Sequence, residues 1–246
     1  MWKPKERLRV AQEVTERLRT LILTHQVRPG EKLPPERKLA ETLGVNRATL
    51  REAMKNLEQS GLIHIRQGDG TRVLDFVQTA GLDLLRHLVP HGGRAGLSIA
   101  RDILEFRQII GREVARLAAE RAGPAELTRL REIAWRETTG PEQTLLQDLD
   151  FYVALARATR NLVFSLLLNT VAGTARSLSG FLVDAIPSES EVRLHHQAVI
   201  AAIEAHDPDG ACRASDQHLC RGKENLLRRL EGAEPRVSGS SAEAPA

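Results

Sequence analysis

Apolar side chains recur at helical spacing between Glu6 and Gln26, at Val10, Val14, Leu18, Leu21 and Ile22, which predicts a helix with one buried stripe. Arg28-Pro29-Gly30 stops it. Leu33-Pro34-Pro35 opens a second helix, proline being tolerated in a first turn. That helix runs through Leu39 and Ala40 to Leu43 and ends at Gly44. Asn46 is a good N-cap for a third, Arg47 to Ser60, with Leu50, Ala53, Met54 and Leu57 as its buried stripe. After Gly61 the pattern changes. Leu62 to Ile65 and Thr71 to Leu74 read as short strands around the turn Arg66-Gln67-Gly68-Asp69-Gly70. Two helices, a tight turn, a third helix and a hairpin make a winged helix-turn-helix.

From Phe76 onward strand signals vanish. Helical patterns follow at 77–89, 98–122, 124–139, 141–159, 161–183, 189–206 and 209–231. Gly123-Pro124, Gly140-Pro141, Pro187-Ser188 and Asp207-Pro208-Asp209-Gly210 punctuate them, and His91 to Gly96 reads as a loop. No internal repeat is visible. The expected fold is mainly α: a winged helix-turn-helix over 6–75, an all-α antiparallel bundle over 76–231, and a disordered Ser/Gly/Pro/Ala-rich tail over 232–246.

Composition agrees with this picture and adds a direction. Hydrophobic residues make up 41% of the 246 and aromatics only 3%, which suits packed helices better than sheets. The net charge of +3 is small, but its distribution is uneven. Met1 to Arg72 holds 15 Lys and Arg against 9 Asp and Glu, while the remainder holds 20 against 23. The basic excess sits in the part expected to meet phosphate. The start, Met1-Trp2-Lys3-Pro4-Lys5, lacks the apolar core of a signal peptide. No stretch reaches the roughly 20 apolar residues of a membrane span. Cys212 and Cys220 lie eight apart on one helix, about 12 Å of rise and too far for a disulfide. The expected location is cytoplasmic, with no membrane partner.

The third helix carries the first candidate chemistry. Arg47 and Arg51 are four apart on one face, near the N-terminal end that would meet base edges. They can bond guanine edges or phosphate oxygens, and Thr49 a phosphate or a base. Surface pairing of the arginines with Glu36, Glu41 or Glu52 is the structural alternative.

Several motifs in fixed order then carry a family resemblance. Leu33-Pro34-Pro35-Glu36-Arg37-Lys38-Leu39-Ala40, Gly44-Val45-Asn46-Arg47-Ala48-Thr49-Leu50-Arg51-Glu52-Ala53, Gly61-Leu62 and Gly68 to Val73 resemble the GntR family of transcriptional regulators. The likeness covers nearly all of 8–75, with Asn46 where Ser or Thr is more usual. It implies a homodimer on a short palindrome in double-stranded DNA. Arg37, Arg47 and Arg51 would contact DNA, and a wing tip at Gln67 and Gly68 would enter the minor groove.

The remainder resembles the ligand-binding domain of the FadR subfamily, six or seven helices around a cavity. The matching pieces are Glu105-Phe106-Arg107 to Ala115-Arg116-Leu117-Ala118-Ala119, Asp148-Leu149-Asp150-Phe151-Tyr152 with Arg160-Asn161, and His195-His196 through Asp207 to His218. Spacing adds a reason of its own: Asp207 lies 11 residues from both His196 and His218. Each arm rises roughly 16 Å, so a helical hairpin brings the imidazoles level. With Asp148 they suit a divalent ion such as Zn, Ni or Mn.

The subfamily often has an Asp and three His, the second ligand four residues after the Asp. Tyr152 stands there, and a neutral phenol is a poor ligand. Gly111 stands where Glu is common. Without a metal, His196 and His218 would be hydrogen-bonded core or solvated residues. Arg107 is the candidate clamp for a carboxylate effector, with Tyr152 beside it, or else a surface partner of Asp102 or Glu105.

The resemblance implies a non-enzymatic regulator, a repressor released from its operator by a small organic acid. An acyl-CoA effector is the alternative, since Phe76 to Leu85 and Tyr152 look like the fatty-acid branch. A metalloenzyme with a DNA-binding appendage, and a constitutive architectural binder, are the remaining readings.

Overall fold

The computed structural model describes residues 4–88, 94–183 and 187–232. The expected tail from 233 onward, and the first part of the His91 to Gly96 loop, lie outside the described residues. The chain divides into two compact units, Met1–Gly96 and Leu97–Ala246.

The first unit runs α1 (Pro4–Leu23), α2 (Glu36–Leu43), α3 (Arg47–Gln59), β1 (Ile63–Arg66) and β2 (Gly70–Val73). Two short helices follow, α4 (Phe76–Thr79) and α5 (Leu85–Leu88), separated by a 3-10 turn at Leu82–Leu84. The predicted stripes of α1 and α3 meet: Val14, Leu18 and Ile22 pack with Leu50, Met54 and Leu57. α2 starts one residue after the prolines, with Pro35 as its N-cap, and Gly44 ends it in the left-handed conformation at φ 67°. Asn46 caps α3 as expected, its Oδ1 accepting the Thr49 N–H at 2.9 Å.

β1 and β2 pair antiparallel, Ile63 opposite Val73 and Arg66 opposite Gly70. Each strand sits one residue away from its expected bounds, because the Leu62 N–H goes to Leu57 O at 3.0 Å and closes α3 instead. A third segment joins the wing: Leu33 N–H donates to Thr71 O and Val73 N–H to Glu31 O, both 2.9 Å.

The helix expected over 77–89 is broken at Ala80 and Gly81, both extended. Gly61 explains the break. Its φ is 70°, and a Cβ there would come within 2.4 Å of the Thr79 carbonyl oxygen. The Thr79 hydroxyl in turn donates to Gly61 O at 2.7 Å, so the segment after the wing is tied down at that point. Leu84 lies in the core of this unit.

The second unit is α6 (Arg94–Arg121), α7 (Pro124–Ala134), α8 (Pro141–Ala158), α9 (Leu162–Ser177), α10 (Ser179–Leu182), α11 (Glu189–Glu204) and α12 (Pro208–Gly232). α6 begins inside the stretch read as loop. α7 stops well short of the expected 139, because the Gln147 side-chain amide takes the carbonyls of Ile133 (2.7 Å) and Arg136 (2.8 Å). The expected 161–183 helix breaks at Leu178, whose φ is −109°. α11 and α12 form a hairpin whose turn is set by Asp207, with Oδ1 accepting the Gly210 N–H at 2.8 Å. The core of the unit runs from Val114 and Ala118 on α6 through Leu130, Phe151 and Leu155 to Val199 and Leu219. Among the described residues no helix is long and apolar enough to cross a membrane.

Candidate functional site

Two places in the molecule gather the predicted side chains. The first is the outer side of α3. Arg47 is exposed there. Arg51 is 70% exposed and donates from Nε to Glu36 at 2.8 Å, and Arg37 stands 4.0 Å from Glu41. Such exposed pairs are worth about 0–1 kcal/mol, so a phosphate or guanine can displace the carboxylate. Gln67 and Gly68 sit exposed at the tip of the hairpin, Gly68 at φ 85°. Thr49 departs from the expectation. It is only 2% exposed, on the same side of α3 as Leu50 and Ala53, so its hydroxyl does not join the arginines on the outer face.

The wing also uses a residue not singled out from the sequence. Asp69 is bonded by Lys32, from the segment before α2, and by Arg72 at 3.2 Å. These partners hold its carboxyl below the usual carboxylate value, Lys32 first. They brace the loop that carries Gln67 and Gly68. No local motif signals the contact, since Lys32 and Asp69 are far apart in the chain.

The second place is inside the helical unit. Asp148 on α8 is 3% exposed. Its Oδ1 lies 3.2 Å from His196 Nε2 on α11 and 3.1 Å from His218 Nε2 on α12. Its Oδ2 accepts from Arg107 Nη2 on α6. Four helices thus converge on one carboxylate. Burial alone would raise its pKa, but His218, Arg107 and the His196 bond outweigh this and keep Asp148 ionised well below its ordinary value. His196 stacks on Phe151 at 3.9 Å and is fully buried. Burial lowers its pKa, so the ring is neutral near pH 7. Arg107 pairs with Asp148 rather than with Asp102 or Glu105, and its guanidinium stands 5.5 Å from the Tyr152 ring centroid.

His195, quoted in the sequence only as a neighbour of His196, proves to be part of this cluster. Its Nε2 shares a 3.1 Å hydrogen bond with the Tyr152 hydroxyl, and its ring lies parallel to His218 at 3.9 Å. Burial, then the nearby His218, push its pKa well down. The buried Nδ1 atoms of His195 and His196 have no hydrogen-bond partner.

Tyr152 and Gly111 turn out to be one substitution in physical terms. A Cβ on Gly111 would lie 3.0 Å from Tyr152 Cε1 and 2.5 Å from Leu219 Cδ1. The phenol occupies room that a larger residue at 111 would need. Burial, then repulsion from Asp148, push the Tyr152 phenol far above its ordinary value. It therefore remains protonated and is not an anionic ligand.

The donor set fits a divalent metal with three protein ligands. Asp148, His195 and His218 have ligand atoms within 4.8 Å of one another. Parallel stacked rings, however, cannot both aim their in-plane lone pairs at one ion. His196 and His218 each hold Nε2 within 3.2 Å of the same Asp148 oxygen, while the atoms that lie together as one group are those of Asp148, His195 and His218. Ligands bonded at about 2.0–2.2 Å to a tetrahedral ion lie roughly 3.3 Å apart. A cavity of about 200 Å3 opens between α11 and α12, with His195, His218, Leu194, Gln217 and Arg221 in its wall.

Comparison with known proteins matches both units. The sequence profile of bacterial regulatory proteins of the gntR family matches residues 10–73, and that of the FCD domain matches 102–221. The HTH-type transcriptional regulator Mce2R of Mycobacterium tuberculosis is 36% identical over 227 residues, spanning 91% of this chain and 94% of its own. The putative L-lactate dehydrogenase operon regulatory protein of Escherichia coli is 33% identical over 221 residues, spanning 86% and 84%. Among solved structures, Lar, described as controlling the agr system of Listeria monocytogenes, aligns over 89% of this chain and 96% of its own. Its TM-score is 0.55 at 15% identity, a likeness of fold.

Proposed function

The chain belongs to the gntR family of bacterial regulatory proteins and is a DNA-binding transcriptional regulator with an FCD domain, and from that premise we propose that it is a homodimeric repressor released by a small organic acid. The arginines at the start of α3 and the wing tip read a palindromic operator, one half-site per protomer. The acid enters the helical unit and binds at the Asp148 cluster. It draws Arg107 partly away from Asp148, because a guanidinium can hold a second carboxylate with its free N–H groups. The resulting shift of the helices changes how the two wings fit the operator.

The observation that carries this reading is the buried meeting of Asp148, Arg107, His196 and His218 on four helices. A hydrophobic core of this size has no structural need of such a group, since apolar side chains of similar volume would fill the space at no greater cost. The cavity at its edge, about 200 Å3, has room for a short acid. The reading is supported by kinship with a protein named as a putative regulator of an L-lactate dehydrogenase operon, an operon for an enzyme that acts on a short organic acid. Asp148, His196 and His218 would hold a divalent Zn, Ni or Mn ion, which when bound supplies a positive centre for the acid's carboxylate. Tyr152 and His195 do not ligate; they fix the ring of His218 from behind by stacking and a hydrogen bond.

The test is fluorescence anisotropy on a DNA fragment selected from a random pool by the protein. Lactate, pyruvate, citrate and octanoyl-CoA are titrated into the complex. A short acid that releases the DNA supports the proposal. Release by octanoyl-CoA alone would assign the cavity to acyl chains. No effect of any ligand, with an unchanged melting temperature, would make the protein a constitutive binder.

A further inference from the structure

Away from the cluster, α7, α8 and α9 enclose a second cavity of about 570 Å3, within the roughly 300–1,000 Å3 of small-molecule sites. Ile133, Val153 and Ala154 make an apolar floor, and Arg129, Arg157 and Arg176 supply guanidinium groups around it. The three arginines are held differently. Arg176 donates to Asp150 at 2.7 Å, and the other Asp150 oxygen takes Arg136 at 2.9 Å. Burial works against that carboxylate, yet Arg136 and Arg176 keep it ionised below its ordinary value. Arg129 leans only on Glu132 of its own helix, in an exposed pair of 2.9 Å. Among the described residues Arg157 has no ion-pair partner. The remaining acid of the wall, Glu126, is committed to the Gly123 N–H at 2.9 Å and stands 3.6 Å from Arg160. The wall thus holds three guanidinium groups against two carboxylates, and two of the three, Arg129 and Arg157, are tied to neither wall carboxylate.

We propose that this groove is a second ligand site, separate from the Asp148 cluster, for a small organic dianion with an apolar body, a phosphate monoester being the type that fits best. The apolar floor takes the body, and the guanidinium forks take the anionic oxygens two at a time. Arg129 and Arg157, not tied to a wall carboxylate, offer one fork each to the two charges of a dianion. The site shares α8 with the cluster but uses its other side. Asp148 and Tyr152 are buried in the bundle, while Asp150, Val153 and Arg157 line the groove. A ligand here and an acid at Asp148 would grip one helix from opposite faces.

Calorimetric titration of the full chain with phenyl phosphate, inorganic phosphate and phenol tests the proposal. Phenyl phosphate should bind at least about tenfold more tightly than either part alone, as expected when charge and apolar surface are both used. Arg157→Ala removes an exposed side chain and should weaken it by about tenfold or more, with an unchanged melting temperature. Arg129→Ala, equally exposed, should do the same in smaller measure. Arg107→Gln should leave the binding untouched. No binding at millimolar phenyl phosphate would overturn the site, as would binding indifferent to both Arg157→Ala and Arg129→Ala. Loss of binding on Arg107→Gln would place the anion in the interior cluster and overturn it too. None of these outcomes depends on release of DNA by a short acid.

Discussion

The two units put their charged chemistry in opposite places. In the winged unit the arginines proposed to meet DNA lie outside, on a helix whose buried stripe is wholly apolar apart from Thr49. In the helical unit the carboxylate, the imidazoles and the phenol lie inside, packed among Phe151 and Leu219. A surface that must bind phosphate needs cations that can leave their partners, and loose exposed pairs serve this. A site that must distinguish one small acid from water needs a dry pocket, where each charge interaction is stronger and each unpaired group more costly. Packing and chemistry are thus separable in the first unit and share the same atoms in the second.

The sharpest way to break this contrast is Asp148→Asn. It strips the carboxylate from a buried Arg107 contact and from two imidazoles, and should cost the helical unit about 3–5 kcal/mol in urea denaturation. The transition of the winged unit should not move. An equal shift in both would show that the units do not stand on separate cores. Gly61→Ala is the reciprocal test. It places a Cβ at φ 70° and 2.4 Å from the Thr79 backbone oxygen, so it should cost the winged unit about 2 kcal/mol or more. The transition of the helical unit should stay where it is.

Smaller effects sharpen the contrast within the DNA-reading face. Arg47→Ala and Arg51→Ala should each cost about 1–3 kcal/mol of DNA affinity with no change in melting temperature. The Arg51 effect should be the lesser, because binding through Arg51 first releases Glu36. Equal affinities for both variants and the parent would remove α3 from the interface.

The smallest effect is the response to mild acid. Burial lowers the pKa of His195, helped by His218, and that of His196. Both are neutral when folded, while in the unfolded chain they take up protons near pH 6.5. In chelator-treated protein the helical unit should hold full stability above about pH 6.5 and lose it as the pH falls toward the lowered folded values. Among the described residues the winged unit has one such ring, His87, lowered by burial and then by Arg19. Its stability should fall in the same window with a shallower slope. Circular dichroism melts at stepped pH separate the two.

The same contrast decides what the sequence could reveal. α1, α2, α3 and the wing were legible because period and stop signals are local: a buried stripe, Gly44, Asn46, Gly61. The burial of Thr49 was legible too, since it shares the helical phase of Leu50 and Ala53, and that phase rather than its hydroxyl sets where it lies. In the helical unit the elements were legible but several of their ends were not. α7 ends where Gln147 reaches back for its carbonyls, a contact across a loop with no local signature. Equal arms about Asp207 anticipated that His196 and His218 reach the same region, and both meet Asp148, but the ring stacked on His218 is that of His195, one residue away. The Arg107 contact with Asp148, the role of His195 and the fit of Tyr152 into the room left by Gly111 each join helices far apart in the chain. Only packing reveals them.

Control of the exposed arginines by the buried cluster is tested most directly by Arg107→Gln. DNA release is titrated with the most effective short acid for the parent protein and for the variant. If the cluster exerts that control, affinity for DNA without acid is unchanged and half-release needs about tenfold or more acid, the loss of one charge-assisted contact. An unchanged half-release concentration would contradict it.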